Sequence, residues 1–409
     1  VRLTNRPCIQ SSVNIVVARD PALGACTDST ARLARDGFCE RSQIRHGARA
    51  VSTRDADRGV SPAVTLASVT APRTRPKRAT IFDVAAEAGV SRGTVSRVLN
   101  GEPYVSEAAR AAIEQAIQKV GYVRNTAARN LARQSSGAIA LIVHEPNSVF
   151  VDDPNIGNIL LGTNGALSAA DYQLVTLVIE TDRDSERVSG YLGGGFVDGA
   201  IIVSAREGDP ISQAIADLHL PAVMIGRPDN QPRLPWVGID NRGAARQITE
   251  RLAATGRDRI GMIAAGLDRD SGRDRLAGFQ EALGDAFVPA LVSRQPFYTF
   301  DAGVAGMAEL LDLEPALDGL FAASDAVAVG AIEVLRARGR RVPEDVGVVG
   351  FDDSAWALRS LPALSTVRQP AALLGARAAT LVLEQITTGG ASGSEGVMLD
   401  TEVVWRDSA

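Results

Sequence analysis

Cysteine is scarce in this chain of 409 residues, and all three cysteines lie within the first 40 positions: Cys8, Cys26 and Cys39. Their spacing matches no zinc-binding pattern. Residues 40–409 contain no cysteine, so no disulfide can form within that part of the chain. Histidine is equally rare, and neither metal-site nor catalytic-triad spacing links His46, His144 and His219. We therefore expect no metal, no cofactor and a reducing compartment such as the cytoplasm.

Long apolar runs are also absent. No stretch approaches the roughly 18–20 apolar residues of a membrane span, and the apolar run 13–18 is too short for the core of a secretion signal. Aromatic residues make up only 4% of a chain that is 45% hydrophobic, so its cores must rely on Ala, Val, Leu and Ile. At this length we expect two or three domains and neither membrane insertion nor export.

Charge is unevenly distributed along the chain. Residues 1–71 carry a net charge of +4, residues 72–136 carry +6, and residues 137–409 carry −15. A basic front joined to an acidic body indicates that only the front contacts a polyanion, because phosphates would repel the rest. The pattern favours a local contact with DNA over wrapping of the DNA around the protein.

Residues 1–76 do not have the pattern of a folded domain. They are rich in Arg, Ala, Ser and Thr, show little apolar periodicity, and end in a basic linker at 71–78. We expect a disordered extension. Two alternatives are a basic arm that assists DNA binding and a translation start nearer Val69.

Helical signals begin at Thr80. Thr80 and Asp83, three positions apart, form a variant of the capping box and predict the start of a first helix. Gly89 permits a sharp turn, and Ser91 is placed to cap a second helix at about 92–99. Two short helices joined by a Gly-Val-Ser turn are typical of a helix-turn-helix.

A third helix completes this unit. Ser106 is placed to cap it, Ile113 and Ile117 fall on its apolar face, and Gly121 is placed to end it. The sequence therefore predicts an all-α helix-turn-helix domain at 77–122. The polar, basic segment 123–136 follows and is typical of a hinge.

From Ala138 onward, short apolar runs alternate with helical patterns. The predicted strands are 138–143, 173–179, 198–203, 221–225, 259–263, 318–322 and 346–350, and the predicted helices include 156–170, 240–256, 271–284, 301–312 and 325–339. Continuous apolar strands alternating with helices predict parallel sheets covered on both faces. Because 137–409 is long for one such sheet, we expect an α/β core of two lobes with a ligand cleft between them.

Enzymatic motifs are lacking in this core. Gly193-Gly-Gly195 is not followed by the Lys-Ser/Thr of a phosphate-binding loop and is interpreted as a turn between helix and strand. Asp352-Asp353 is interpreted as a loop cap and not as an acid/base pair. An enzyme of doubly wound fold is thus the weakest hypothesis. A solute-binding protein is the second hypothesis, but it explains only the core.

Residues 80–100, Thr-Ile-Phe-Asp-Val-Ala-Ala-Glu-Ala-Gly-Val-Ser-Arg-Gly-Thr-Val-Ser-Arg-Val-Leu-Asn, closely resemble the start of the lac repressor and galactose repressor family. The match resumes at 275–279, 324–325 and 342–353 and covers about 77–406. The resemblance implies a DNA-binding head, a hinge helix at 123–136, and a core of two doubly wound lobes similar to the periplasmic binding proteins. It also implies a homodimer on double-stranded operator DNA.

The resemblance places the recognition helix at about 92–99, in the major groove. Arg92 and Gly93 occupy the family's two main specificity positions, and Arg92 can donate two hydrogen bonds to guanine. Leu131 matches the leucine that wedges into the minor groove. The full set of implied DNA contacts is Thr80, Ser91, Arg92, Gly93, Thr94, Ser96, Arg97, Asn100, Asn125, Ala128, Arg129 and Leu131. Thr80 and Ser91 are also helix caps.

Three further positions match effector-binding residues of the family: Arg275, Asp325 and Tyr298. An arginine, a carboxylate and an aromatic ring suit a sugar, with a nucleoside as the alternative. A structural salt bridge between Arg275 and Asp325 is the competing interpretation. Weaker candidates are Ser271, Arg269, Ser204 and Asp353, together with His144 and Glu145 at the end of the first strand of the core.

The leading hypothesis is a transcription regulator, most simply a repressor, whose operator affinity is controlled by a small molecule. It predicts a protein without catalytic activity that resides in the cytoplasm and associates with the nucleoid when bound to DNA. Some members of the family activate transcription, so the sign of control comes from the resemblance alone.

Overall fold

The computed structural model describes residues 79–122, 135–206, 208–227, 234–389 and 396–409. The extension at 1–76 and most of the hinge, 123–134, lie outside these ranges, and the domain boundaries therefore stay predictions. The described head contains three helices: Ile81–Ala88 (α1), Arg92–Leu99 (α2) and Glu107–Val120 (α3).

Helix caps fix the geometry of the head. The backbone N–H and the hydroxyl of Thr80 donate to the Asp83 carboxylate at 2.7 and 2.8 Å, which confirms the predicted capping box. Gly89 ends α1 in the left-handed region, with φ of +66°. Val84, Val95 and Ile113, one from each helix, are fully buried and form the centre of a small core.

The body, from residue 135 onward, alternates strands with helices as predicted. Its strands are Ala138–Val143 (β1), Gln173–Val178 (β2), Gly199–Val203 (β3), Ala222–Ile225 (β4), Trp236–Ile239 (β5), Ile260–Ala265 (β6), Val292–Gln295 (β7), Gly319–Ala322 (β8), Gly347–Val349 (β9), Thr366–Arg368 (β10), Val397–Leu399 (β11) and Glu402–Val404 (β12). Its α-helices are Asn147–Asp152 (α4), Pro154–Ala169 (α5), Asp182–Gly193 (α6), Pro210–Asp217 (α7), Asn241–Ala253 (α8), Asp270–Leu283 (α9), Phe300–Leu313 (α10), Asp325–Ala337 (α11), Ala355–Arg359 (α12) and Ala371–Thr388 (α13), and short 3₁₀ turns lie at Gly284–Ala286 and Pro289–Leu291.

Two separate parallel sheets confirm the two-lobed, doubly wound α/β core. The first sheet has the order β2-β1-β3-β4-β5-β11, and the second has the order β7-β6-β8-β9. Both faces of β1 are buried, because Ile139 and Leu141 face one core cluster while Ala140 and Ile142 face another. Burial on both faces explains the continuous apolar runs in the sequence.

The strand order places the ligand cleft. In each lobe the order reverses beside the first strand, β1 or β6, and doubly wound sheets bind ligands beyond the carboxyl ends of the strands at this point. The chain passes between the lobes three times: from β5 into α8, from β10 into α13, and from β11 into β12. The short antiparallel pair β10–β12 lies at these crossings.

Several elements of the structure were not predicted from the sequence. The strands β5, β7, β10, β11 and β12 have three or four residues each, too few for a period-2 pattern to stand out from the surrounding sequence. The long helix α13 was also missed, although it buries one face against α5 in the first lobe. The predicted turn at Gly193–Gly195 is confirmed, since α6 ends at Gly193 and Gly195 has φ of +69°.

Candidate functional site

The predicted DNA-contacting residues of the head lie along α2 and the start of α1. The Ser91 hydroxyl caps α2 by accepting from the Thr94 backbone N–H at 3.1 Å and is hydrogen-bonded to the Thr94 hydroxyl at 2.9 Å. Thr94 and Ser96 are partly buried, whereas the remaining described candidates are exposed: Thr80, Ser91, Arg92, Gly93, Arg97 and Asn100. The other four predicted contacts, Asn125, Ala128, Arg129 and Leu131, lie outside the described residues.

Gly93 has no steric or conformational reason to be glycine. A Cβ added there would meet only the Ser91 Oγ, at 3.6 Å, and its φ is not positive. The fold therefore tolerates a side chain at this position. The absence of a side chain at Gly93 therefore affects the surface of the recognition helix beside Arg92 and not the packing of the head.

A cavity of about 120 Å³ lies between the lobes, at the carboxyl ends of both sheets. Its lining mixes polar side chains from the two lobes with aliphatic side chains on the first lobe. The polar lining residues are Glu145, Asp153, Asn155, Ser204, Asn241, Arg269, Asp270, Ser271, Arg275, Tyr298, Asp352 and Gln369. Six of the nine residues considered for the effector site are among them, and Asp325, Asp353 and His144 are not.

Arg275 occupies the floor of the cavity on the second lobe and is almost fully buried. Its Nε donates to the Asn241 Oδ1 at 2.9 Å, and one terminal nitrogen donates to the Ala323 carbonyl at 2.6 Å. Its guanidinium lies 3.6 Å from the Asp352 carboxylate and 3.7 Å from the centroid of the Phe351 ring. These contacts hold the arginine in one orientation toward the cavity.

Arg269 bridges the lobes. Its guanidinium meets the Glu145 carboxylate at 2.7 and 2.9 Å, and both side chains are about 3% exposed. Glu145 follows β1 in the first lobe, whereas Arg269 precedes α9 in the second. Burial raises the pKa of Glu145, although Arg269 opposes that shift.

Tyr298 forms part of the wall. Its hydroxyl is hydrogen-bonded to Ser271 at 3.1 Å, and the guanidinium groups of Arg269 and Arg275 lie 5.8 and 5.4 Å from its ring centroid. Burial raises the pKa of Tyr298, so the hydroxyl is protonated at neutral pH. Ser204, directly after β3, lines the opposite wall with φ of +58°.

Asp325, one of the three leading effector candidates, does not line the cavity. This side chain is fully buried and accepts hydrogen bonds from the Ser354 N–H at 2.7 Å and the Thr366 hydroxyl at 2.6 Å. Each carboxylate oxygen thus has one protein donor. The Arg275–Asp325 salt bridge considered above is not formed either, because Arg275 pairs with Asp352.

Asp352, unlike Asp325, lines the cavity. It follows β9 with φ of +120°, which turns it toward Arg275, and it accepts from the Gln369 side chain at 2.6 Å. Burial raises its pKa well above the usual range, while Arg275 opposes the shift. The neighbouring Asp353 is engaged in ion pairs with Arg368 and Arg406. Asp353 therefore has a structural role, whereas Asp352, which was also interpreted as a structural residue, lines the cavity.

Other lining residues were missed by the sequence analysis. Asp153 accepts from the Asn155 N–H at 2.8 Å at the start of α5, and Asn241 begins α8 where the chain crosses between lobes. Gln369 lies at the second crossing. A polar residue directly after a strand is the one signal that sequence offers for such positions, and it also marks many ordinary caps. His144, also considered, is hydrogen-bonded to Asp209 and does not line the cavity.

The comparisons with known proteins agree with this geometry. Residues 80–125 match the model of bacterial regulatory proteins, lacI family, and residues 249–409 match the periplasmic binding protein-like domain. The HTH-type transcriptional regulator CelR of Thermobifida fusca is 43% identical over 339 residues, which are 82% of this chain and 99% of that protein. This chain belongs to the lacI family. The HTH-type transcriptional repressor CytR of Escherichia coli K12 is 32% identical, with 81% of this chain and 96% of CytR covered.

Solved structures of lacI-family proteins share the whole described architecture. A transcriptional regulator CelR–cellobiose complex is 42% identical with a TM-score of 0.65, covering 81% of this chain and 100% of the other. A lac repressor dimer bound to operator and the anti-inducer ONPF is 26% identical with a TM-score of 0.73, covering 81% and 99%. The chain is accordingly a DNA-binding transcription regulator in which a helix-turn-helix head is joined to a ligand-binding type of core.

Within the described ranges, no helix is long and apolar enough to cross a membrane. The same ranges contain no group of three His, Cys, Asp or Glu side chains placed to hold a metal ion.

Proposed function

We propose that this protein is a repressor whose affinity for operator DNA is lowered by a sugar bound between the lobes, with cellobiose as the first candidate. The observation that carries the proposal is the interlobe cavity with Arg275, Asp352 and Gln369 converging on its floor. Planar side chains that are already oriented by protein contacts can hydrogen-bond neighbouring hydroxyls of a sugar. The relative CelR has been solved with cellobiose.

The polar groups that line the cavity suit a neutral polyol. Glu145 is paired with Arg269 and Asp352 with Arg275, while Asp153 and Asp270 accept from the backbone N–H groups of Asn155 and Arg227. Each carboxyl group of the lining is therefore engaged with a protein group. Groups held in pairs favour binding over catalysis, and we propose a regulator without enzymatic activity.

Binding of cellobiose to the full-length protein tests the effector assignment. We expect a saturable heat of binding in calorimetry, and for Asp352→Asn a Kd raised roughly tenfold, because a hydrogen-bond acceptor is lost. Asp345→Asn is the matched control, since Asp345 pairs with Arg341 on the surface, outside the cavity lining. Binding of a nucleoside but not of any disaccharide would reassign the effector class.

Operator binding tests the regulatory assignment. We propose that a homodimer binds two half-sites and that the protein acts in the cytoplasm at the nucleoid. The lac repressor has been solved as a dimer bound to operator. Affinity for a selected operator should fall steeply with salt and fall further when cellobiose is added. An operator affinity that does not respond to any effector shown to bind would contradict the proposal.

A further inference from the structure

Phe82 is an exposed aromatic residue whose position the fold of the head does not explain. It lies in the first turn of α1 with 62% of its surface exposed. Its neighbours Ile81 and Val84 pack into the core of the head, whereas Phe82 is outside that cluster. A large apolar side chain left on the surface of a small domain costs solubility, which favours an interaction role for it.

The Phe82 ring lies against the base-reading arginine. The guanidinium carbon of Arg92 is 5.3 Å from the ring centroid, which is within the range of a cation–π contact. Arg92 is the first residue of α2 and is itself exposed. An exposed arginine otherwise samples many rotamers and must lose that freedom on binding DNA.

The surroundings leave Arg92 free to reach a base edge. Gly93, the next residue, adds no side chain, and the Ser91 hydroxyl is turned back to cap the helix and to bond Thr94. Stacking engages the face of the guanidinium and leaves its N–H groups, which lie in the plane, available. Two parallel donors in one plane are what guanine O6 and N7 require.

We propose that Phe82 is a positioning residue for operator recognition, its ring holding the Arg92 guanidinium in the plane from which it donates to guanine. This inference rests on the proposed operator-reading role of Arg92. Phe82 sharpens the choice of base at one position in each half-site and leaves the phosphate contacts unaffected. The loss of one exposed cation–π contact reduces that preference about two- to fivefold.

The test uses the full-length chain and the duplex that it selects from a random library. Kd values are measured by fluorescence anisotropy for this duplex and for every single base-pair change, with wild type, Phe82→Leu, Phe82→Tyr, Arg92→Ala and the double variant Phe82→Leu/Arg92→Ala. Tyr104→Leu is the matched control, because Tyr104 is another aromatic of the head and is 92% exposed.

Phe82→Leu is expected to weaken discrimination only at the base pair that Arg92→Ala relaxes, while Phe82→Tyr and Tyr104→Leu retain the wild-type profile. In the Arg92→Ala background, Phe82→Leu should change nothing further at that pair. An unchanged profile for Phe82→Leu, or an equal loss at every position in both backgrounds, overturns the inference. If Arg92→Ala weakens discrimination at no base pair, the proposed operator-reading role of Arg92 fails as well. This result differs from the two outcomes above, which overturn only the role of Phe82.

Discussion

Asp325 and Asp352 show how little of a buried carboxylate's role can be predicted from its sequence context. Both follow strands of the second sheet, β8 and β9, but only Asp325 was a candidate for the effector site, whereas Asp352 was interpreted as a loop cap. Asp352 has φ of +120° and turns toward Arg275 in the cavity, whereas Asp325 turns inward toward Ser354 and Thr366. The difference depends on backbone angles at one residue and on partners 29 and 41 positions away, which no local pattern records.

Asp325 should make the stability of the protein depend on pH near neutrality. Burial raises its pKa from 3.8 to about 7, although hydrogen bonds from Thr366 and Ser354 oppose the shift. A carboxyl with a raised pKa in the folded chain stabilises it fully only below the unfolded value, and this contribution is lost as pH rises through about 7. Asn mimics the neutral acid. The Tm of Asp325→Asn relative to wild type should therefore rise between pH 4.5 and pH 8.

Asp345→Asn is the control for this measurement. Asp345 is exposed and its hydrogen bonds with Arg341 lower its pKa, so the stability it contributes is lost only as pH falls below the usual range for aspartate. Its Tm difference from wild type should be flat over the same interval. A flat difference for Asp325→Asn as well would show that Asp325 is ionised in the folded protein across this range.

At the scale of elements, the head was predicted nearly to the residue because its signals are local. Caps, a turn glycine and short apolar periodicity all lie within a few positions of one another, and the structure begins α2 at Arg92 and ends it at Leu99 as expected. The core was harder to predict. Strands of three residues such as β10 and β11 exist because a distant strand pairs with them, so sequence periodicity cannot reveal them.

The cap of the recognition helix should matter for DNA binding beyond its effect on stability. Ser91→Ala removes the acceptor of the Thr94 N–H, which costs about 1 kcal/mol of helix stability, and it also removes a hydroxyl placed beside Arg92. Ser106→Ala, which removes the acceptor of the Ala109 N–H in α3, is the matched control. We expect similar losses of amide protection in the head but a larger loss of operator affinity for Ser91→Ala. Equal affinities would contradict a role for Ser91 beyond capping.

A second element-scale prediction concerns the junction where the chain enters the core. The Asp198 carboxylate accepts from the Ser135 hydroxyl at 2.6 Å and from the Ser136 and Gly137 N–H groups at 2.6 and 2.8 Å. Burial opposes ionisation of Asp198, but these hydrogen bonds lower its pKa overall. Asp198→Asn should speed amide exchange at Ser136 and Gly137. Asp217→Asn, an exposed surface change, should leave it unaltered; equal exchange in all three proteins would show that the contact does not hold the junction.

At the scale of the whole molecule, the charge asymmetry and the alternation of strands and helices were sufficient to predict a DNA-binding front and a two-lobed core. The location of the cleft followed from fold class, because parallel strands present their carboxyl ends to one edge. What the sequence could not predict was which side chains from the two lobes meet. The pair Glu145–Arg269 joins residues 124 positions apart, and only the packing of one lobe against the other brings them together.

We expect effector and operator to change each other's affinity by one common factor. A ligand held between two lobes favours the lobe arrangement that it fits best, and linkage requires the coupling to be reciprocal. The Kd of cellobiose, measured with and without operator, should change roughly 5–150-fold, and the Kd of operator should change by the same factor with cellobiose. Arg92→Ala should weaken operator binding yet keep the same coupling factor. Asp352→Asn, compared with wild type at equal cellobiose occupancy, tests whether the coupling depends on the residues of the cleft. Two independent affinities would show that the cleft and the head are uncoupled.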